Sequence, residues 1–357
     1  MDNTYYVLSN HDVKIERFHI CTWESLKGAA NIEFGVEIDK DTFANQDIHL
    51  YIAIPFVKKP NSQKKTKTRD LYDQLTDKKN LRFIFNDVVK NPHTIGDDER
   101  NGCIVEFEKR EKLVILPCKV SEENGYLDIL LKKPTLINEE AHDIGNYYFR
   151  IIVETEKTIA ELLSGISQKS YLYDIKINIS RNIPDEVYDL KKDKELKICK
   201  IKKMFCFHNI PDSFELSFVN YKDLQNIRKL ETSAFLHYLP ELNQVKKGHT
   251  NTVFLKSEDA DEKGDGYSFF TVCTDESIGI RQVALAVGAN ILISLLFAIS
   301  AFRISYSPLD QKVPCYEQIP FEYYAALSIL VILCIVVFCW NKLTDIWGKI
   351  FKRRGEH

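Results

Sequence analysis

The chain has 357 residues, with 48 Lys and Arg against 51 Asp and Glu, a formal net charge of −3 and a sequence pI near 6.3. So near-balanced a charge selects no class of partner by itself, and local clusters carry what electrostatic information there is. Cysteines at 21, 103, 118, 199, 206, 273, 315, 334 and 339 fall singly and are odd in number, which excludes a disulfide framework and points to reduced thiols.

The first residues, MDNTYYVLSNHDVKIERF, lack the basic start and apolar run of a secretory signal. Val-, Ile-, Phe- and Tyr-rich runs then predict strands over 30–38 and 48–57, followed after a loop by 81–85, 103–108, 113–120 and 126–131. Glu122-Glu123-Asn124-Gly125 supplies a hairpin signal before the last of these. Further strands are predicted over 147–154, 171–179, 197–207, 214–219 and 267–273. In 173–179 every second residue is apolar, the pattern of a sheet with one wet face. Helical patterning is confined to 70–76, 157–164 and 222–238. The expected fold class is mostly β. A cytosolic β-sandwich-like domain over 1–156 precedes a second β-rich unit with helical insertions over 157–275, and a two-helix transmembrane hairpin follows.

That hairpin is expected over 276–341. Residues 283–302 and 323–340 are uncharged runs of about 20 and about 18 residues, close to the length that crosses a hydrocarbon core. The tail over 342–357 carries Lys342, Lys349, Lys352, Arg353 and Arg354, so the positive-inside rule predicts cytosolic N- and C-termini in an inner membrane. In the first run Ala286, Asn290 and Ser294 recur at four-residue spacing. An Asn in hydrocarbon needs a partner or water, so this stripe is expected to line a pore in an oligomer; the alternative is that it only glues helices together.

Catalytic motifs are missing: there is no phosphate loop, nucleophile elbow, HExxH or paired CxxC. The acidic turn from Asp259 to Gly264 fails as a calcium loop, because Lys263 occupies its fifth position. Cys199, Cys206 and His208 match no zinc spacing and are expected in the core or on the surface. The expectation is therefore no enzyme, no metal and no cofactor. Two basic clusters remain: Lys58, Lys59, Lys64, Lys65, Lys67 and Arg69 in the first, and Lys200, Lys202 and Lys203 in the second. Positive loops of this kind suit phosphates of a nucleotide or oligonucleotide, or anionic lipid headgroups.

A β-rich domain followed by two C-terminal apolar segments and no enzyme motif resembles membrane effectors of bacterial antiphage systems, in particular that of the Hailong system. The resemblance implies a homo-oligomeric channel, tetrameric by analogy. Its cytosolic domain would bind a single-stranded DNA oligomer made by a partner nucleotidyltransferase, and opening would depolarise the membrane in abortive infection. The competing expectation is a membrane-tethered protein-interaction module with no pore.

Overall fold

The computed structural model describes residues 4–24, 30–43, 46–54, 67–96, 100–123, 125–135, 145–155, 159–164, 168–181, 183–212, 214–230, 236–239, 250–258, 266–276 and 280–306, with positions 324, 327, 328 and 331. Its larger unit covers Met1–Gly165 and Lys169–Asp275, and residues 166–168 with 276–357 form a second.

The larger unit is a sandwich of two mixed sheets. The first sheet runs in the order β16 (Glu215–Val219), β19 (Tyr267–Glu276), β13 (Gln168–Ile177), β1 (Thr4–Ser9), β4 (Ile48–Ala53), β10 (Tyr126–Leu131), β9 (Cys118–Glu123). Two short strands join it, β12 (Glu161–Ser164) on β13 and β14 (Lys197–Ile198) on β1. The second sheet runs β17 (Leu224–Leu230), β18 (Thr250–Glu258), β15 (Lys200–Pro211), β2 (Lys14–Glu24), β3 (Ala30–Ile38), β11 (Asn146–Thr155), β8 (Leu113–Ile115), β7 (Cys103–Val105), β6 (His93–Thr94), with β5 (Lys67–Asp70) also on β11. Both sheets draw strands from either side of residue 156, through β13 beside β1 and β15 beside β2.

Period-2 alternation explains the sandwich. Phe18 and Ile20 of β2, Phe34 and Val36 of β3, and Met204 and Cys206 of β15 enter one core with Val7, Leu50, Ile129 and Ile175 of the facing sheet. Tyr173, Ile175 and Ile177 are fully buried there, as the alternation over 173–179 anticipates. Asn178 then ends β13 with φ 54 in the left-handed region, which Asn tolerates. Its amide accepts from Val7 N at 2.9 Å and donates to Cys199 O at 3.0 Å, locking the strand end to the neighbouring chain. His208, in this core, lies 4.4 Å from the Tyr173 ring, and burial pushes its pKa down to about 3.

Several expected elements take the other conformation. Residues 81–85, read as a strand, lie in α2 (Lys78–Phe85), started by Asp77, whose carboxylate accepts from Lys79 N and Asn80 N. Residues 157–164, read as helical, supply β12, and of 222–238, also read as helical, residues 224–230 form β17 while 236–238 are helical. Pairing with β13 and β18 overrides weak local helix propensity in both. Strands β2 and β18 carry no expectation from the sequence at all.

The second unit contains α4 (Ile280–Tyr306), which follows the shorter α1 (Tyr72–Thr76), α2 and α3 (Asp185–Asp193) in chain order. Among the described residues no helix is long and apolar enough to cross a membrane. This corrects the expected transmembrane hairpin, together with the transmembrane channel character and the inner-membrane placement built on it. Ala286, Asn290 and Ser294 are exposed on α4. The second run, 323–340, and the basic tail lie almost wholly outside the described residues.

Candidate functional site

The outer face of the second sheet holds a cavity of about 410 Å³, within the range of small-ligand sites. The strand register sets out its side chains in rows. Lys203, Arg17 and Glu37 align across β15, β2 and β3; then Phe205, His19 and Gly35; then Phe207, Cys21 and Glu33; then Asn209, Trp23 and Asn31. On β18 and β17, Phe254 pairs with Phe207 and Asn226, and Thr252 with Asn209 and Arg228. A register shift in β2 between Ile15 and Arg17 decides the site: Ile15 and Phe18 both face the core, and from Arg17 onward the odd-numbered residues face outward.

Two buried carboxylates organise the floor. Glu33, fully buried, accepts from Trp23 Nε1 at 2.5 Å, Arg150 Nε at 2.6 Å and Tyr238 Oη at 2.8 Å. Burial opposes the charge on Arg150, yet Glu33 and the neighbouring tyrosines hold its pKa well above the ordinary arginine value. Glu37 is shared: Arg110 Nη2 lies 3.0 Å and Arg17 Nε 3.5 Å from the same oxygen, and Asn146 Nδ2 donates to the other at 2.9 Å. Arg110 also stacks over Phe85 at 4.7 Å and Phe107 at 5.1 Å, which fixes its plane. Arg228 enters from β17 at the opposite end. Four arginines, 17, 110, 150 and 228, thus stand against two glutamates, 33 and 37, leaving a formal excess of two positive charges.

Aromatic rings form the middle of the site. Phe207 and Phe254 stack at 4.6 Å with planes 2° apart, Phe205 lies 6.0 Å from Phe254, and His19 meets Phe205 edge-on at 4.9 Å. Gly35 leaves the space in which these groups meet, because a Cβ there would stand 2.3 Å from Tyr148 Oη. The arrangement offers fixed cations for anionic oxygens beside flat apolar surface for a ring. Nothing in it pairs a nucleophile with a base, and among the described residues no group of His, Cys, Asp or Glu is placed to hold a metal.

The basic clusters expected from the sequence map mostly elsewhere. Lys58, Lys59, Lys64 and Lys65 lie outside the described residues. Lys67 is exposed on β5, and Arg69, partly buried on the same strand, pairs in register with Ile152. Lys200 is exposed at the start of β15 and Lys202 is ion-paired with Glu16 at 2.8 Å. Lys203 pairs in register with the lining residue Arg17 without lining the cavity itself, and Glu258 at 3.2 Å partly satisfies it. The arginines were missed because they are single residues, three on separate strands and Arg110 in the loop before β8. The one local signal is Arg17-Phe18-His19-Ile20-Cys21-Thr22-Trp23, whose alternation puts a polar or aromatic residue on every outward position. No protein-family description and no curated protein matches this chain.

Proposed function

We propose that the β-sandwich is a binding module for a nucleotide or a single-stranded DNA oligomer, held in the cavity on the outer face of the second sheet. The observation that carries this reading is the excess of arginine charge around stacked phenylalanines in one half-open cavity. Phosphate oxygens match the guanidinium forks of Arg17 and Arg110, and a base has the flat surfaces of Phe205, Phe207 and Phe254 beside it. This is the ligand-binding half of what the resemblance to antiphage effectors implies, with the ligand supplied by a partner nucleotidyltransferase.

The test is binding of ATP and of a fluorescein-labelled single-stranded DNA oligomer to the full chain, by calorimetry and anisotropy over a salt series. Arg17→Ala with Arg110→Ala should weaken binding and flatten its salt dependence, while Lys202→Ala leaves both unchanged. A wild-type chain that binds neither probe at low salt overturns the proposal.

A further inference from the structure

The strongest further feature is the hydrogen-bond sequence that ends on His19. Glu33 fixes Arg150, and Arg150 Nη1 then lies 3.5 Å from Tyr148 Oη. Tyr148 Oη is in turn 3.3 Å from His19 Nδ1. An arginine can only donate, so the tyrosine oxygen accepts from Arg150 and its own proton points toward His19. Nδ1 of His19 is then the acceptor, and the ring proton resides on Nε2. The opposite arrangement would leave the buried Tyr148 hydroxyl proton without an acceptor, which is costly.

We infer that His19 is a specificity residue that offers an Nε2–H donor to a hydrogen-bond acceptor on the base of the bound nucleotide, an inference that rests on the binding-module reading above. The edge contact with Phe205 places the imidazole beside the aromatic rings in the middle of the site. The groups facing it are Arg17 on its own strand, Arg110 from the loop before β8, and Arg150 and Tyr148 on β11. Burial first, then those three arginines, hold its pKa well below that of an ordinary histidine, so the ring stays neutral. The arginines therefore take the phosphate charge and His19 reads an uncharged part. Gly35 is a positioning residue for this, since a Cβ at 35 would displace Tyr148 Oη.

The test compares probes with and without a base on the full chain: ATP against inorganic triphosphate, and a deoxythymidine oligomer against an abasic oligomer of equal length. His19→Phe should weaken the base-bearing probes by about tenfold, the effect of one hydrogen bond, and leave the base-free ones unchanged. Long-range proton–nitrogen spectra of the ring should show the proton on Nε2 throughout about pH 5.5 to 8, with Tyr148→Phe releasing the second tautomer. Equal losses for both probe classes, a proton on Nδ1, or an ordinary histidine titration would overturn the inference. Wild-type protein that binds no probe overturns the underlying reading and with it the ligand contact, while the spectrum still decides the donor assignment.

Discussion

Replacing Glu33 by Ala is the sharpest test of how the outer face is held together. The substitution removes three hydrogen bonds, from Trp23, Arg150 and Tyr238, and strands Arg150, whose side chain is 8% exposed. Breaking a buried pair on one side costs about 3–5 kcal/mol, because the remaining charge has lost both water and partner. Against a domain stability of about 5–15 kcal/mol that is a large fraction. Removing both charges is different. Glu33→Leu with Arg150→Met leaves no buried ion, so the double variant should recover part of the loss, the remainder being the acceptor that Trp23 Nε1 and Tyr238 Oη no longer have. Urea unfolding of the full chain followed by tryptophan fluorescence measures this, with Trp23 bonded directly to Glu33 as one reporter. A double-mutant cycle built from Glu33→Leu, Arg150→Met and their combination should give a coupling on the order of 3 kcal/mol. A Glu33→Ala protein within about 1 kcal/mol of wild type, or a double variant no more stable than the single one, would refute the reasoning.

Three further outcomes are expected. Gly35→Ala should lower stability by about 1–3 kcal/mol and reduce nucleotide binding, because its methyl overlaps Tyr148 Oη; thermal unfolding and anisotropy check both effects. Asp70, pushed up to about 6 by burial against the hydrogen bonds from Cys118 and Tyr72, binds its proton more tightly folded than unfolded. Its stabilising contribution is therefore full below pH 3.8 and lost as pH rises through about 6, so the stability of Asp70→Asn relative to wild type should improve by roughly 2–3 kcal/mol from pH 4 to 7.5 in denaturant titrations. Lys202→Ala, by contrast, should leave the denaturant midpoint unchanged, since its pair with Glu16 sits in solvent and is screened.

The mostly β character was legible because strand patterning is local. Runs such as 30–38, 126–131 and 147–154 carry their own branched and aromatic residues, and each forms a strand. The alternation over 173–179 likewise names its core-facing residues correctly, since the pleat fixes a period of two. What failed was arbitration between weak signals: 222–238 has charged residues at helical spacing, and only the edge of β18 makes part of it a strand. Length and apolarity near the C-terminus suggested a hairpin, whereas the described residues contain no spanning helix.

The site was least legible. Sequence proximity favours runs of lysine, and Lys202 is spent on Glu16. The cavity instead gathers Arg17, Arg110, Arg150 and Arg228 from positions more than two hundred residues apart at the extremes. The sequence by itself determined which residues alternate and which strands have an apolar face. Tertiary structure decided which polar faces meet: parallel pairing of β15 with β2, and a register shift after Ile15, turn Arg17 and His19 toward Phe205 and Phe207. The physical reason is that a strand's pattern encodes inside against outside, while its neighbour in the sheet is chosen by contacts distant in the chain.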